Sequence, residues 1–148
     1  MQDLVGNYEN SYNFEVKNQL SSIMSEQLRE LTRAEEEIMQ VLWDKERAFV
    51  KEVIEVLPEP KPAYNTVSTI IRILEQKGFV GHQAFGKTHQ YFPVVSKEEY
   101  RKFVTGKLML GYFDNSVGNM LSFFVKEQQV DLKEADELLK MIEELKNK

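Results

Sequence analysis

The chain contains no cysteine among its 148 residues, which excludes disulfides, thiolate metal sites and cysteine nucleophiles together. Histidine is nearly as scarce. Only His82 and His89 are present, and neither is spaced with a serine and an acid as a nucleophilic group. No glycine-rich loop of the phosphate-cradling kind occurs. Neither an enzyme nor a resident cofactor is expected. No apolar run approaches the length of a membrane span, and the N-terminus lacks the basic-then-apolar order of a signal peptide. These absences predict a cytoplasmic protein without membrane insertion.

Positive charge is also in deficit, with 19 Lys and Arg against 24 Asp and Glu and a net charge of −5. The local distribution is more informative than the total. Residues 61–92 carry Lys61, Arg72, Lys77 and Lys87 against Glu75 alone, a net +3 that leaves −8 on the rest of the chain. One basic segment in an acidic chain suits a protein that binds phosphates with one face and repels them elsewhere.

What is present reads as three regions: an N-terminal extension over 1–30, a compact domain over 31–95 and a helical module over 96–148. The first is polar, with only Val16, Leu20, Ile23 and Met24 as a weak helical stripe, and Met24-Ser25-Glu26 resembles a natural start. Order begins at Thr32. Thr32 and Glu35 form a capping box, and the helix they open runs to about Trp43 and buries Ala34, Ile38, Val41 and Leu42. A second helix is expected from Phe49 to Leu57, with Val50, Val53, Ile54 and Leu57 inward. Pro58, Pro60 and Pro62 then force an extended connector.

A third helix is predicted from Ala63 or Tyr64 to a C-cap at Gly78. Two strands follow, Phe79–His82 and His89–Phe92, around a turn at Phe85-Gly86-Lys87, and Pro93 closes the hairpin. Three helices and a hairpin within about 60 residues is the winged-helix order. The fold class is therefore mostly α with a small β wing, a winged helix-turn-helix domain followed by an α-helical module.

The third helix carries the sharpest functional signal. Val67, Ile70, Ile71 and Leu74 recur at the spacing of a buried face. The opposite stripe is Asn65, Ser68, Thr69 and Arg72, joined by Thr66, and it holds no acid before Glu75. Short hydroxyls and an amide let a helix approach a groove floor, and arginine pairs with guanine in bidentate fashion. A purely structural helix would gain from replacing Thr66 and Thr69, which are poor helix formers. Lys87 at the wing tip is a candidate phosphate contact, as are His82 and His89. A metal pair at these histidines is not expected, because no third ligand lies near them in sequence. Phe79, Tyr91 and Phe92 read as core.

Three stretches carry a family resemblance: Leu31-Thr32-Arg33-Ala34-Glu35-Glu36-Glu37-Ile38-Met39 through Trp43, then Tyr64-Asn65-Thr66-Val67-Ser68-Thr69-Ile70 with Leu74 to Gly78, then the wing through Gly86-Lys87 to Pro93. Over about residues 31–145 the chain resembles the penicillinase-repressor family. The resemblance implies a homodimeric bacterial repressor on a palindromic double-stranded DNA operator, released when a protease coupled to a membrane sensor cuts an Asn–Phe bond in the C-terminal module. The matching neighbourhood here is Ser122-Phe123-Phe124, and no Asn precedes either Phe. Lack of cysteine separates the chain from copper-sensing relatives that use a cysteine cluster.

The C-terminal module points to dimerisation on its own residues. Ser96 and Glu99 form a second capping box, ahead of Tyr100, Phe103, Val104 and Leu108. Val117, Met120, Leu121 and Phe124 make another stripe, and Asp131 caps a last helix with Ala135, Leu138, Leu139, Ile142 and Leu145 inward. With Leu110, Tyr112, Phe113, Phe123 and Val125 added, the apolar side chains exceed what a 53-residue helical module hides alone. An intertwined homodimer hides them. Two other readings remain open at this point. A regulator of the multiple-drug-resistance type would bind a small effector near Tyr112, Asp114, Asn115 and Asn119, and a protein-interaction winged helix would not touch DNA.

Overall fold

The computed structural model describes residues 30–127 and 129–147, so the N-terminal stripe and the start at Met24 lie outside the described residues. In order, the elements are α1 (Arg33–Lys45), β1 (Ala48–Phe49), α2 (Val50–Val56), α3 (Tyr64–Gln76), β2 (Val80–Phe85), β3 (Thr88–Pro93), α4 (Lys97–Tyr112), α5 (Val117–Lys126) and α6 (Leu132–Lys146). The strands form one antiparallel sheet in the order β1-β3-β2. The described residues divide into two compact units, the first ending at Phe103 and the second beginning at Val104, with the division inside α4.

The first unit is a winged helix around one core. Thr32 caps α1 as expected: its Oγ1 accepts the Glu35 N–H, and Glu35 Oε2 accepts the Thr32 N–H at 2.9 Å. Ile38, Val41 and Leu42 are buried as expected, but Ala34 is exposed, and Glu35 and Met39 are buried in addition. Glu35 is buried in an ion pair, since Lys77 Nζ lies 2.8 Å from Glu35 Oε2 and 2.9 Å from Oε1. The Glu35 side chain is 6% exposed and that of Lys77 19%. Both termini of the pair sit where they suit the helix dipoles, Glu35 in the first turn of α1 and Lys77 at the C-cap of α3.

The second helix starts one residue later than the sequence suggests. Ala48 and Phe49 pair with Tyr91 and Gln90 as the third strand of the sheet, and Glu52 Oε1 accepts the Phe49 N–H at 2.9 Å. Two residues of alternating burial are too short a signal to read as a strand from sequence. Val50, Val53 and Leu57 are buried and Ile54 half-buried, close to expectation. The wing strands are longer than the sequence indicated. They enclose a two-residue turn, Gly86-Lys87, in which Gly86 takes φ +61° as a tight hairpin turn requires.

The end of α3 is a Schellman motif. Gly78, at φ +84°, donates to Glu75 O, and Phe79 N–H donates to Leu74 O at 2.9 Å. Phe79 and Leu74 are both fully buried, which is the apolar contact that accompanies this cap.

The first turns of α4 belong to this unit. Tyr100 is buried, its hydroxyl accepts the Leu31 N–H at 3.0 Å, and its ring meets those of Phe79, Trp43 and Phe103 at 5.7, 5.9 and 6.0 Å. Trp43 Nε1–H donates to Val95 O at 2.9 Å. Phe103, a candidate for the dimerisation face, packs half-buried against the winged-helix core.

In the second unit, Ser116 caps α5 by accepting the Asn119 N–H, and Asp131 caps α6 by accepting the Glu134 N–H at 2.8 Å. No residue of α5 or α6 is buried. Among the described residues no helix is long and apolar enough to cross a membrane.

Burial pushes the Glu35 carboxyl up, but the hydrogen bonds and charge of Lys77 and the contacts with Thr32 outweigh it, and its pKa is lowered. A carboxyl with a lowered folded pKa stabilises the fold fully above the ordinary carboxylate range and loses that contribution as pH falls through its folded value. Urea midpoints measured from neutral pH down into acid therefore fall for the native chain. Glu35→Gln is expected to start lower at neutral pH and to lose the part of this slope that Glu35 supplies. Glu35→Ala, which strands a largely buried Lys77, is expected to cost about 3 kcal/mol with an unchanged m-value.

Candidate nucleic-acid interface

The burial of Val67, Ile71 and Leu74 sets the rotation of α3 about its axis and so decides which side chains face outward. Asn65, Thr66, Thr69 and Arg72 are exposed, and Ser68 is half-buried. Thr69 Oγ1 donates to Asn65 O at 2.8 Å, so its proton is committed within the helix. What Thr69 offers outward is a methyl group and an acceptor oxygen. The first acid on the helix, Glu75, is taken up by the wing, with its Oε2 lying 2.7 Å from His82 Nδ1.

The wing presents Lys87, exposed, in its turn. His82 and His89 stand on neighbouring strands with Ala84 opposite His89, and their rings stack at 4.2 Å with planes 7° apart. The acid missing near the histidines in sequence is thus supplied in space by Glu75. Parallel stacked rings do not aim their nitrogens at one point, and among the described residues no group of three ligating side chains is placed to hold a metal ion. Phe79 and Tyr91 are core, as expected. Phe92 is half-buried, lies over Gly81 where a Cβ would come within 2.9 Å of its ring, and carries the Arg47 guanidinium 5.1 Å from its centroid.

Between α3, the wing and the start of α2 lies a cleft of about 410 Å³. It brings together four of the expected residues, Ser68, Arg72, Lys87 and His89, and adds Lys51 and Tyr64. Tyr91 forms part of its wall. Burial pushes the Tyr91 hydroxyl up, and the negative Glu75 pushes it further, while Arg72 acts in the opposite direction without offsetting them. The phenol beside Arg72 therefore stays neutral and able to accept from the guanidinium.

Two of the cations counted in the basic segment are not part of this surface. Lys77 is paired with Glu35, and Lys61 Nζ donates to Glu55 O and Leu57 O at 2.8 and 2.6 Å, closing the end of α2. Lys51 replaces them from outside the segment. Nothing in a linear charge count separates a lysine that caps a helix from one that faces solvent.

The candidate dimerisation residues of the second unit are only partly covered. Leu108, Val117, Leu139 and Ile142 are exposed, and Phe113, Met120, Leu121, Phe124 and Leu138 are half-buried. Ser122-Phe123-Phe124 lies inside α5, with Ser122 and Phe123 exposed and the Phe123 ring 5.7 Å from that of Phe113. The four side chains weighed as an effector site, Tyr112, Asp114, Asn115 and Asn119, are all exposed.

The profile of the Penicillinase repressor family matches residues 31–144. The penicillinase repressor of Bacillus licheniformis is 25% identical over 120 residues, covering 80% of this chain and 94% of that protein. The methicillin resistance regulatory protein MecI of Staphylococcus aureus is 24% identical over 116 residues, covering 78% and 94%. The solution structure of the DNA-binding domain of the repressor BlaI aligns with a TM-score of 0.43 and 28% identity, over 48% of this chain and 88% of that one. With a match across most of its described length, the chain belongs to the penicillinase repressor family, whose members are DNA-binding regulators and not enzymes.

Proposed function

We propose that this chain represses transcription as a homodimer, each protomer laying α3 in the major groove of one half of a palindromic operator. The observation that carries the reading is the outward face of α3. Asn65, Thr66, Thr69 and Arg72 are exposed together with no free acid among them, and Lys87 and the other cations of the cleft adjoin them. Arg72 and Asn65 suit base edges, Thr69 offers its methyl to a thymine methyl, and Lys87 suits the backbone. The protein would act where the bacterial chromosome lies, in the cytoplasm.

The second unit supports the dimer. Leu139, Ile142 and Leu145 along α6 are 61%, 45% and 70% exposed, an apolar stripe that water-facing helices do not carry without a partner. A second copy of the same surface covers it with two-fold symmetry, which matches a palindrome whose half-sites lie about 34 Å apart. Cleavage at Ser122-Phe123-Phe124 by a sensor-coupled protease would divide α5 and detach α6 from the rest of the interface.

Three outcomes are expected. On the operator, Arg72→Ala costs about 1–3 kcal/mol and blurs one base position, whereas Lys87→Ala weakens all sequences alike and reduces the salt slope by about one. Unchanged operator affinity of Arg72→Ala, measured by fluorescence anisotropy, refutes the assignment of the reading face. In sedimentation at tens of micromolar, the native chain has twice its 17.3 kDa mass, and Leu139→Asp with Ile142→Asp returns it to a monomer with the winged helix still folded. A native monomer under those conditions ends the dimer reading. In cells given an inducer, intact-mass analysis finds fragments cut within residues 122–124. Derepression with the chain whole replaces proteolysis by a bound effector or by competition for the operator.

A further inference from the structure

We propose that the cleft between α3 and the wing is a small-molecule site, which takes an aromatic carboxylate in exclusion of DNA. The cleft holds about 410 Å³, a volume in the range of ligand pockets, and every residue of its wall comes from the first unit. It lies apart from the four exposed side chains of the second unit weighed above as an effector site. The exclusion of DNA rests on the role proposed for α3, whereas the binding of the ligand does not.

The wall changes character with depth. Val50 and Tyr91 are buried and Phe49 and Ser68 half-buried, so the inner part is largely apolar and aromatic. Lys51, Arg72, Lys87 and His89 are exposed and stand towards the rim, drawn from α2, α3 and the wing. An apolar floor beneath a cationic rim suits a ligand with a flat hydrocarbon body and an anionic end. Phosphate groups of DNA use cations and have no use for such a floor.

Arg72 selects the anion. Its guanidinium is a planar fork that matches a carboxylate with two parallel hydrogen bonds. Tyr91 lies beside it, and its hydroxyl, kept protonated by burial and by Glu75, can donate to the same carboxylate. The rings of Phe49, Tyr64 and Tyr91 flank the space for the aromatic body. The nearby acids are engaged, since Glu52 accepts the Phe49 N–H and Glu75 lies against His82. A ligand held by Arg72 and Lys87 withdraws two side chains that the proposed operator contact uses. Ligand and DNA then compete for the same free protein, and the ligand favours release.

The probe is 2-naphthoate, titrated into the full native chain by calorimetry without DNA. One site per chain is expected, with a dissociation constant of about 1 mM or tighter for a ligand of this size. 2-Naphthylmethanol keeps the rings without the charge, and acetate keeps the charge without the rings. Each is expected to bind at least about tenfold more weakly. Arg72→Gln is expected to weaken 2-naphthoate by about tenfold and Tyr91→Phe by about fivefold, whereas Lys133→Ala, in the second unit, leaves it unchanged. Thermal melts check the fold of the variants, since Arg72 is exposed and Tyr91→Phe keeps the buried ring. In anisotropy with a mixed-sequence duplex of about 30 base pairs, 2-naphthoate at about ten times its dissociation constant is expected to weaken DNA binding about tenfold relative to equal acetate. No saturable binding by the native chain, or native affinity in both Arg72→Gln and Tyr91→Phe, overturns the site. Bound ligand with unchanged duplex affinity overturns the exclusion of DNA. A native chain that takes the ligand but binds no duplex overturns the DNA-binding reading and the exclusion with it, while the site stands.

Discussion

Val67, Ile71 and Leu74 anchor one side of α3 in the core, and the Glu35–Lys77 pair ties the end of that helix to the start of α1. The apolar contacts fix rotation, and the ion pair with the Schellman turn at Gly78 fixes where the helix stops and the wing begins. The proposed reading role of α3 needs both, because a turn of one residue, about 100°, would exchange Arg72 for a buried neighbour. The aim of Asn65, Thr69 and Arg72 is thus a consequence of packing on the opposite face. Glu35 is costly to bury, and its carboxylate is fully engaged by Lys77 and Thr32.

The same economy governs the other charges. Lys61 closes α2 and Lys77 serves the core, so the cations left at the interface are fewer than the sequence count and come from more elements. Glu75, the acid that would repel a phosphate, is held by His82. At the proposed DNA interface, a positive surface is built by occupying unsuitable charges as much as by adding suitable ones.

Tyr100 shows how the two units share a helix. Its ring and hydroxyl complete the winged-helix core, although the sequence places it at the head of the C-terminal stripe. A chain ended at Val95 would lose this side chain and the Phe103 contact, leaving the Leu31 N–H and the Phe79 ring without their partner. Beyond Phe103 the character of the chain changes, since the helices that follow bury nothing among themselves as completely as the first unit buries Phe79 or Leu42.

The order of helices and hairpin, the caps at Thr32, Ser96 and Asp131, the turn at Gly86 and the family were all legible in the residues. Each of these depends on neighbours within a few positions, where spacing and side-chain type are sufficient. The outward stripe of α3 was legible for the same reason, because 3.6-residue periodicity separates two faces of one helix. The burial of Glu35, the strand at Ala48–Phe49, the diversion of Lys61 and Lys77, the His82–Glu75 contact and the cleft holding Lys51 beside His89 were not. Each is set by groups brought together from distant positions, such as the 42 residues between Glu35 and Lys77. Whether a charged side chain faces solvent, a partner or a ligand is decided by what the fold places opposite it, and only the tertiary structure holds that information.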